Sequence, residues 1–171
     1  MPVELRPITI DDLPLYEALR TDPAVMAELG GAHPKEDIPR ILQHTLRYGE
    51  SGRGWALAIV PDPATGEAVG TVSVWESEDD DGQPINEIGW EVLPAYQGRG
   101  FASQAVRLVL DRARESGRWD VIHAHTGVDN GASNAICRKL GFEKLEECDI
   151  DYSGRILRCN HWRIRLRREE K

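Results

Sequence analysis

NEIGWEVLPAYQGRGFASQAVRLVL, residues 86–110, is the stretch that decides the fold we predict for this chain. It begins as a strand that runs through Val92 and Leu93, continues as a glycine-rich turn from Gln97 to Gly100, and ends as an amphipathic helix. The first N–H groups of a helix lack intrahelical partners and carry the positive end of the helix dipole. The strand–turn–helix unit therefore predicts an anion-binding site suited to a phosphate.

The turn matches neither of two common nucleotide-binding motifs. Ser103 stands where a dinucleotide-binding fingerprint has its third glycine. The Gly-Lys-Ser/Thr end of a Walker loop is also missing from the sequence. The pattern that remains is Q-x-x-G-x-A, from Gln97 to Ala102.

The composition predicts one globular domain that spans residues 1–171. A chain of 171 residues encloses a sizeable core, and its apolar fraction of 40% and charged fraction of 29% are typical of globular proteins. The net charge of −8 argues against binding to nucleic acid or to an anionic membrane, since both need a basic surface. The chain opens without an apolar signal segment, and no run approaches the roughly 20 apolar residues of a membrane span. We therefore expect a cytoplasmic protein.

The three cysteines, Cys137, Cys148 and Cys159, form neither a C-x-x-C pair nor an even set. This argues against a zinc site and against a disulfide-built secreted domain. If Ser153 and Gly154 form a two-residue turn, Cys148 and Cys159 face each other across the last hairpin, where we expect them to stay thiols.

Hydrophobic periodicity and turn residues predict the other elements. Strands are expected at residues 3–6, 55–60, 67–75, from about 85, at 119–128 and in a final pair through residues 150 and 155–165, and helices at residues 12–21, 38–46, 101–116 and 130–140. Thr9 and Asp12 resemble a capping box at the first helix, and Gly117 is expected to end the third. The acidic tract at residues 76–82, ESEDDDG, predicts a turn.

Residues 87–102, together with N-x-x-S from Asn130 and R-K-L-G-F up to Phe142, resemble the GCN5-related N-acetyltransferase (GNAT) superfamily in order and spacing. The segment IGWEVLP is most similar to the ribosomal-protein N-terminal acetyltransferase type. The resemblance implies an α/β (α+β) fold: a mixed, mostly antiparallel sheet of about seven strands, splayed in the middle and flanked by about four helices. The strands that part would be residues 87–93 and 121–126, with acetyl-CoA between them.

The same resemblance implies which residues bind acetyl-CoA as co-substrate. Backbone groups near Val92 would hold the pantetheine arm, and the turn would receive the pyrophosphate. The candidate cofactor-binding residues are Val92, Leu93, Gln97, Gly98, Arg99, Gly100, Phe101, Ala102, Ser103 and Asn130. For Asn130 a plain helix N-cap is the alternative.

Three residues are candidates for the chemistry, which needs a neutral amine and a proton for the leaving thiolate. Glu87 is one candidate base, with a solvated strand carboxylate as its alternative. His125 is the other, because an imidazole titrates near neutral pH, with a structural histidine as its alternative. His123 shares the face of His125, but two histidines without a third ligand predict no metal site. Many relatives place a tyrosine seven residues after the asparagine, and this chain has Cys137 there, either as a thiol acid or acetyl carrier or as a core residue.

The acceptor is expected to be an amine, either a protein N-terminus or a small molecule such as a polyamine, an aminoglycoside or an amino acid. A peptide would need an open groove between the N-terminal helices and the last hairpin, whereas a small polycation would need a closed acidic cup. The five tryptophans are expected mostly in the core. A homodimer stays an open expectation, and a non-catalytic acyl-CoA-binding module is the alternative function.

Overall fold

One seven-stranded mixed sheet organises the computed structural model, which describes residues 2–152 and 154–167. The strands are β1 (Glu4–Pro7), β2 (Trp55–Val60), β3 (Gly70–Glu78), β4 (Pro84–Val92), β5 (Val121–Gly127), β6 (Glu143–Tyr152) and β7 (Arg155–Arg165). Their order in the sheet is β1-β2-β3-β4-β5-β7-β6. The helices are α1 (Leu13–Arg20), α2 (Pro23–Met26), α3 (Ile38–Glu50), α4 (Phe101–Ser116) and α5 (Gly131–Lys139). Four of them have eight residues or more, as predicted, and α2 adds a single turn.

The sheet is splayed between β4 and β5, its one parallel pair of strands. Their register contains a single pair of residues, Glu87 and His123, whereas β3 and β4 pair along nine positions. Beyond Glu87 the two strands separate toward their carboxyl ends. The predicted parting of these two strands is confirmed, and the cleft between them lies in the middle of the sheet.

The two faces of the sheet have different roles. One face packs on α4 and α5 and forms the main core, with Val72, Ile88, Ile122 and Trp162 among its most buried residues. The other face is covered by α1 and α3 only over the first strands, through a second apolar cluster of Ile8, Tyr16, Ile38, Leu42 and Ala58. Next to that cover, β4, β5 and β7 present polar side chains.

The tryptophans mostly follow the prediction of a core role. Trp119 and Trp162 are buried, and Trp55 and Trp90 pack against the main core. Trp75 differs, because its ring lies over Gly89 on the opposite face of the sheet.

Both ends of β3 differ from the prediction by three residues. β3 begins at Gly70 instead of residue 67 and runs on to Glu78, three residues into the acidic tract predicted as a turn. The reason is pairing: Glu78 lies opposite Pro84, so the β3–β4 ladder continues and the turn is confined to the residues between them. The Asp79 carboxylate closes this turn by accepting the N–H groups of Asp81 and Gln83.

The last hairpin brings Cys148 opposite Cys159, as predicted, and both are buried free cysteines. Of the predicted turn, Ser153 lies outside the described residues. In the part of the chain that the structure describes, no helix is long and apolar enough to cross a membrane.

The capping box at Thr9 forms as predicted and extends into an ion pair between buried Asp12 and the partly exposed Arg6. Asp12 accepts the N–H of Thr9 at 2.8 Å and both terminal nitrogens of Arg6 at 2.8 and 2.9 Å. Burial alone would raise the pKa of Asp12, but the bonds from Arg6 and Thr9 outweigh it and hold that pKa below its ordinary value. The ionised carboxylate therefore stabilises the start of α1.

We expect Asp12→Ala to lower the free energy of unfolding at pH 7 by about 2 kcal/mol, because it removes a helix cap and leaves the Arg6 guanidinium without its carboxylate partner. A folded-state pKa below the unfolded one gives stability that is present above the unfolded value and is lost as the pH falls through the folded value. The difference between wild type and variant, measured by urea unfolding, should therefore shrink below about pH 4. Asp11→Ala, an exposed neighbour, is the control. An equal loss in both variants would contradict the role of Asp12.

Candidate functional site

The turn before α4 leaves a row of backbone donors free. Gly98 and Gly100 have φ of +74° and +80°, which favours glycine, and α4 begins directly afterwards at Phe101. Among the described residues, none of the N–H groups from Gly98 to Ser103 has a hydrogen-bond partner. A Cβ built on Gly98 meets nothing within 4 Å, so open space lies beside the turn. A row of free backbone donors at a helix start is the arrangement that receives an anion without the help of a side chain.

The residues just before the turn are used in different ways. Leu93 donates its N–H to Val69 and accepts that of Tyr96, so its backbone is occupied by the fold. Successive residues of a strand direct their backbone groups to opposite edges, so the groups of Val92 face the cleft. The side-chain amide of Gln97 donates to the Val92 carbonyl at 2.9 Å and fixes this end of β4. Of the two backbone positions predicted, Val92 is the one that faces the cleft, and its carbonyl already accepts one hydrogen bond, from Gln97.

The side chains around the turn complete its surroundings. The Arg99 side chain, which belongs to the turn, places its guanidinium 5.5 Å from the centre of the Tyr96 ring. Phe101 and Ala102 pack partly against the main core, and Ser103 is buried. The helix is thereby anchored while its first turn stays open.

The two candidate bases, Glu87 and His125, lie in contact. Their atoms Oε1 and Nδ1 are 2.9 Å apart, and the side chains are 12% and 4% exposed. Glu87 is therefore not the solvated carboxylate of the alternative interpretation. An ionised carboxylate only accepts, so Nδ1 of His125 carries the hydrogen and Nε2 has the lone pair. That Nε2 makes no hydrogen bond within the described residues.

Two more histidines and a glutamate extend this pair across the sheet. His161 on β7 lies opposite His125 in the register, and their rings stack with centres 4.5 Å apart. His161 Nε2 lies 2.8 Å from His123 Nδ1, and His161 Nδ1 lies 2.8 Å from Glu146 Oε1. Burial, then the neighbouring His161, His125 and Arg163, lower the pKa of His123 to about 4, so it is neutral near pH 7. The described residues contain no group of three or more side chains arranged to hold a metal ion.

A model of the acetyltransferase (GNAT) domain matches residues 3–143 of this chain. The chain belongs to the GNAT family. It is 38% identical over 61 residues to the N-alpha-acetyltransferase RimI of Mycobacterium tuberculosis, a match that covers 36% of this chain and 35% of that protein. The chain matches only about a third of the length of the curated relatives.

Solved GNAT structures share the whole fold. An acetyltransferase of the GNAT family from Bacillus anthracis superposes with a TM-score of 0.80 at 18% identity, covering 97% of this chain and 96% of that one. RimL, a ribosomal L7/L12 alpha-N-protein acetyltransferase in complex with coenzyme A, also gives a TM-score of 0.80, at 20% identity and with 96% and 94% covered. At these identities the likeness establishes the GNAT fold.

Asn130 is the N-cap of α5, which was the alternative to cofactor binding. Its side-chain oxygen accepts the N–H of Ser133 at 3.1 Å at the start of α5. Sequence reasoning missed its neighbour Asn134, which is buried and donates to the Gly127 carbonyl at 3.0 Å. The Asn134 oxygen also accepts from Asn160 and Trp162, so this amide ties α5 to β5 and β7 at the cleft. Asn134 directly follows the N-x-x-S motif of residues 130–133 and is not one of that motif's defining residues, so the motif gave no signal for it.

Cys137 lies apart from the Glu87–His125 pair, in the core of the GNAT domain. It is 0% exposed, and burial raises its pKa to about 12. A thiol without solvent access and with so high a pKa is a poor proton donor and a poor nucleophile. The geometry thus agrees with the core alternative and argues against the acid or acetyl-carrier role.

We expect Cys137→Ala to cost roughly 1–2 kcal/mol of unfolding free energy and to change kcat by less than about two-fold, because the substitution leaves a small void and removes no catalytic group. Chemical denaturation and steady-state kinetics measure the two effects. Acetylation of the wild-type thiol, seen by intact-protein mass spectrometry and lost in the variant, would contradict this expectation.

The loop that follows α2 closes one end of the groove beside the histidines. Gly30 lies against the Tyr152 side chain, close enough that a Cβ there would clash with it, and Gly31 lies near Arg155. The Glu28 carboxylate lies against the α-carbon of Gly127, at the end of β5. The groove predicted between the N-terminal helices and the last hairpin is therefore bridged at the hairpin tip.

Proposed function

We propose that this GNAT protein acts as one N-acetyltransferase domain over residues 1–171 and transfers acetyl from acetyl-CoA to a primary amine by direct attack in a ternary complex. The observation that carries the proposal is the row of N–H groups from Gly98 to Ser103, none of which donates a hydrogen bond to another described residue. Family membership supports the same assignment.

The residues present fit acetyl-CoA. The N–H groups of Gly98 to Ser103 and the Arg99 guanidinium would receive the pyrophosphate, because backbone donors and a cation together favour a multiply charged anion. The cleft-facing backbone of Val92 would bind the pantetheine amides. Acetyl-CoA would supply a thioester whose carbonyl carbon is open to attack by an amine.

The Glu87–His125 pair would serve as a single base. His125 Nε2 would take the proton of the attacking amine as the new C–N bond forms and the C–S bond breaks, while Glu87 holds the opposite nitrogen. The leaving thiolate would receive its proton from water, since Cys137 is buried. The pair lies at the point where β4 and β5 begin to part, which is the inner end of the cleft.

Two features of the groove bear on the acceptor. The bridge between Gly30 and Tyr152 narrows access, which favours an amine at the end of a flexible chain, either a protein N-terminus or a small-molecule amine. The carboxylates of Glu28 and Glu87 favour a cationic acceptor. The RimI and RimL likenesses favour the protein N-terminus.

A thiol-release assay with acetyl-CoA and an amine panel tests the proposal. The panel contains peptides with a free α-amino group, the same peptides with that group blocked, polyamines, aminoglycosides and amino acids. Release of CoA that depends on one amine class, together with the acetylated product by mass spectrometry, is the expected result. Absence of acetyl-CoA binding in calorimetry would overturn the proposal.

A non-catalytic acyl-CoA-binding module is the second candidate, favoured by the buried cysteine at the position where many relatives have a tyrosine. It predicts acetyl-CoA binding without turnover on any amine of the panel. The cytoplasmic location and the homodimer belong to the proposal as well, and light scattering after gel filtration tests the dimer.

A further inference from the structure

A hydrogen-bonded chain of Glu146, His161 and His123 runs inward from the protein surface, and its central ring stacks on His125 of the Glu87–His125 pair. Its outer end is Glu146, whose side chain is 56% exposed, and its central member is His161, which is 7% exposed. His161 is bonded on both ring nitrogens, to Glu146 and to His123, each at 2.8 Å. Its ring plane is therefore fixed from two sides. His125 lies on this ring, with an interplanar angle of 20°.

A β-bulge places Glu146 on this face of the sheet. The β6–β7 register pairs Lys144 with Trp162 and Glu147 with Asn160, so two residues of β6 stand opposite His161 alone. Regular alternation would have turned Glu146 to the face of Lys144 and Trp162. Bulges of this kind redirect a side chain, often beside an active site. The extra residue brings the Glu146 carboxylate to His161.

We propose that Glu146 and His161 are positioning residues for His125. The doubly bonded His161 ring forms a fixed platform, and stacking on it holds the plane of the His125 imidazole. In that plane Nδ1–H stays on Glu87 and the lone pair of Nε2 stays available. The proposal rests on the proposed function, in which His125 Nε2 takes the proton of the amine.

The hydrogen-bonding pattern gives the proposal a distinct signature. The Glu146 carboxylate only accepts, so His161 Nδ1 carries a hydrogen, and His125 Nδ1 carries one for Glu87 in the same way. Other charged groups near the array are Arg163, which is bonded to Glu143, and Asp79, whose negative charge opposes the lowering of the His123 pKa. Both histidines should therefore be Nδ1–H tautomers in the folded protein.

Three variants test the role by kinetics. Glu146→Ala removes the acceptor and is expected to lower kcat about ten-fold with KM for acetyl-CoA within about two-fold, since loss of a group that orients a functional imidazole costs on this order. Glu146→Gln keeps an acceptor oxygen, so its kcat should retain at least half of what Glu146→Ala loses. Glu147→Ala, an exposed carboxylate next in the strand, is the matched control and should leave kcat unchanged.

A second measurement works without turnover. Long-range ¹H–¹⁵N spectra of protein labelled on histidine nitrogens report the tautomers of His125 and His161. The wild type and Glu146→Gln should show Nδ1–H for both, and Glu146→Ala should show a mixture for both. An unchanged His125 tautomer in Glu146→Ala, or an equal loss of kcat in Glu147→Ala, would overturn the positioning role. If no amine is acetylated, the spectra still decide it, so failure of the proposed function is seen separately.

Discussion

Replacing Glu87 by glutamine or His125 by alanine is expected to lower kcat by about 10²-fold or more, with KM for acetyl-CoA little changed. The two side chains share one hydrogen bond at 2.9 Å and would act as one base, so the loss of either should remove most of the effect. The double variant should be little slower than the slower single variant, because residues that act as a unit are not additive. Steady-state kinetics on the best amine of the panel measure all three.

Glu78→Gln is the matched control, because it makes the same chemical change on an exposed position of the neighbouring strand. Its kcat should equal that of the wild type. Turnover at the wild-type level in both Glu87→Gln and His125→Ala would mean that the amine loses its proton to solvent, and the pair would then have no role as a base.

Gly100→Leu is expected to weaken acetyl-CoA binding by roughly 10²-fold, about 2.7 kcal/mol, because a side chain would fill the place of the pyrophosphate. The substitution also imposes a left-handed φ of +80° on leucine, at a cost of about 1–2 kcal/mol in stability. Calorimetry and denaturant unfolding separate the two effects.

Gly66→Leu is the control for the backbone cost. Gly66 has φ of +68° in an exposed turn with open space around it, so its substitution carries a comparable strain away from the cleft. Equal stability loss in the two variants, with acetyl-CoA binding lost only in Gly100→Leu, is the expected result. Equal acetyl-CoA affinity in both would show that the turn does not hold the pyrophosphate.

The central unit could be predicted from sequence because its determinants are local. The turn glycines, the start of α4 at Phe101 and its end at Gly117 depend on residues within a few positions of one another, and the structure confirms them. The Thr9–Asp12 capping box is local in the same sense. The GNAT resemblance then supplied the mixed sheet of about seven strands and the two strands that part, which local pattern alone does not contain.

The base could be predicted only in part, because it depends on register between distant strands. Glu87 and His125 are 38 residues apart, and the sequence predicted them as alternative bases, not as a pair. The parallel pairing of β4 with β5 places them together, and the β5–β7 register adds His161. Glu146 contacts His161 because of a β-bulge, and hydrophobic periodicity in the sequence does not predict such an irregularity.

Because the register between β4 and β5 is so short, the sheet consists of two halves that are each held together by their own backbone hydrogen bonds. Strands β1 to β4 are joined by antiparallel ladders, and so are β5, β7 and β6, whereas in the described part of the chain the register between the two halves contains one residue pair, Glu87 and His123. A ligand in the cleft between β4 and β5 would contact both halves. Its binding free energy would therefore add to the free energy needed to separate them. Acetyl-CoA would then stabilise the association of the two halves of the sheet as well as donate acetyl. The cooperativity of their unfolding would therefore rise when acetyl-CoA binds and fall when CoA leaves.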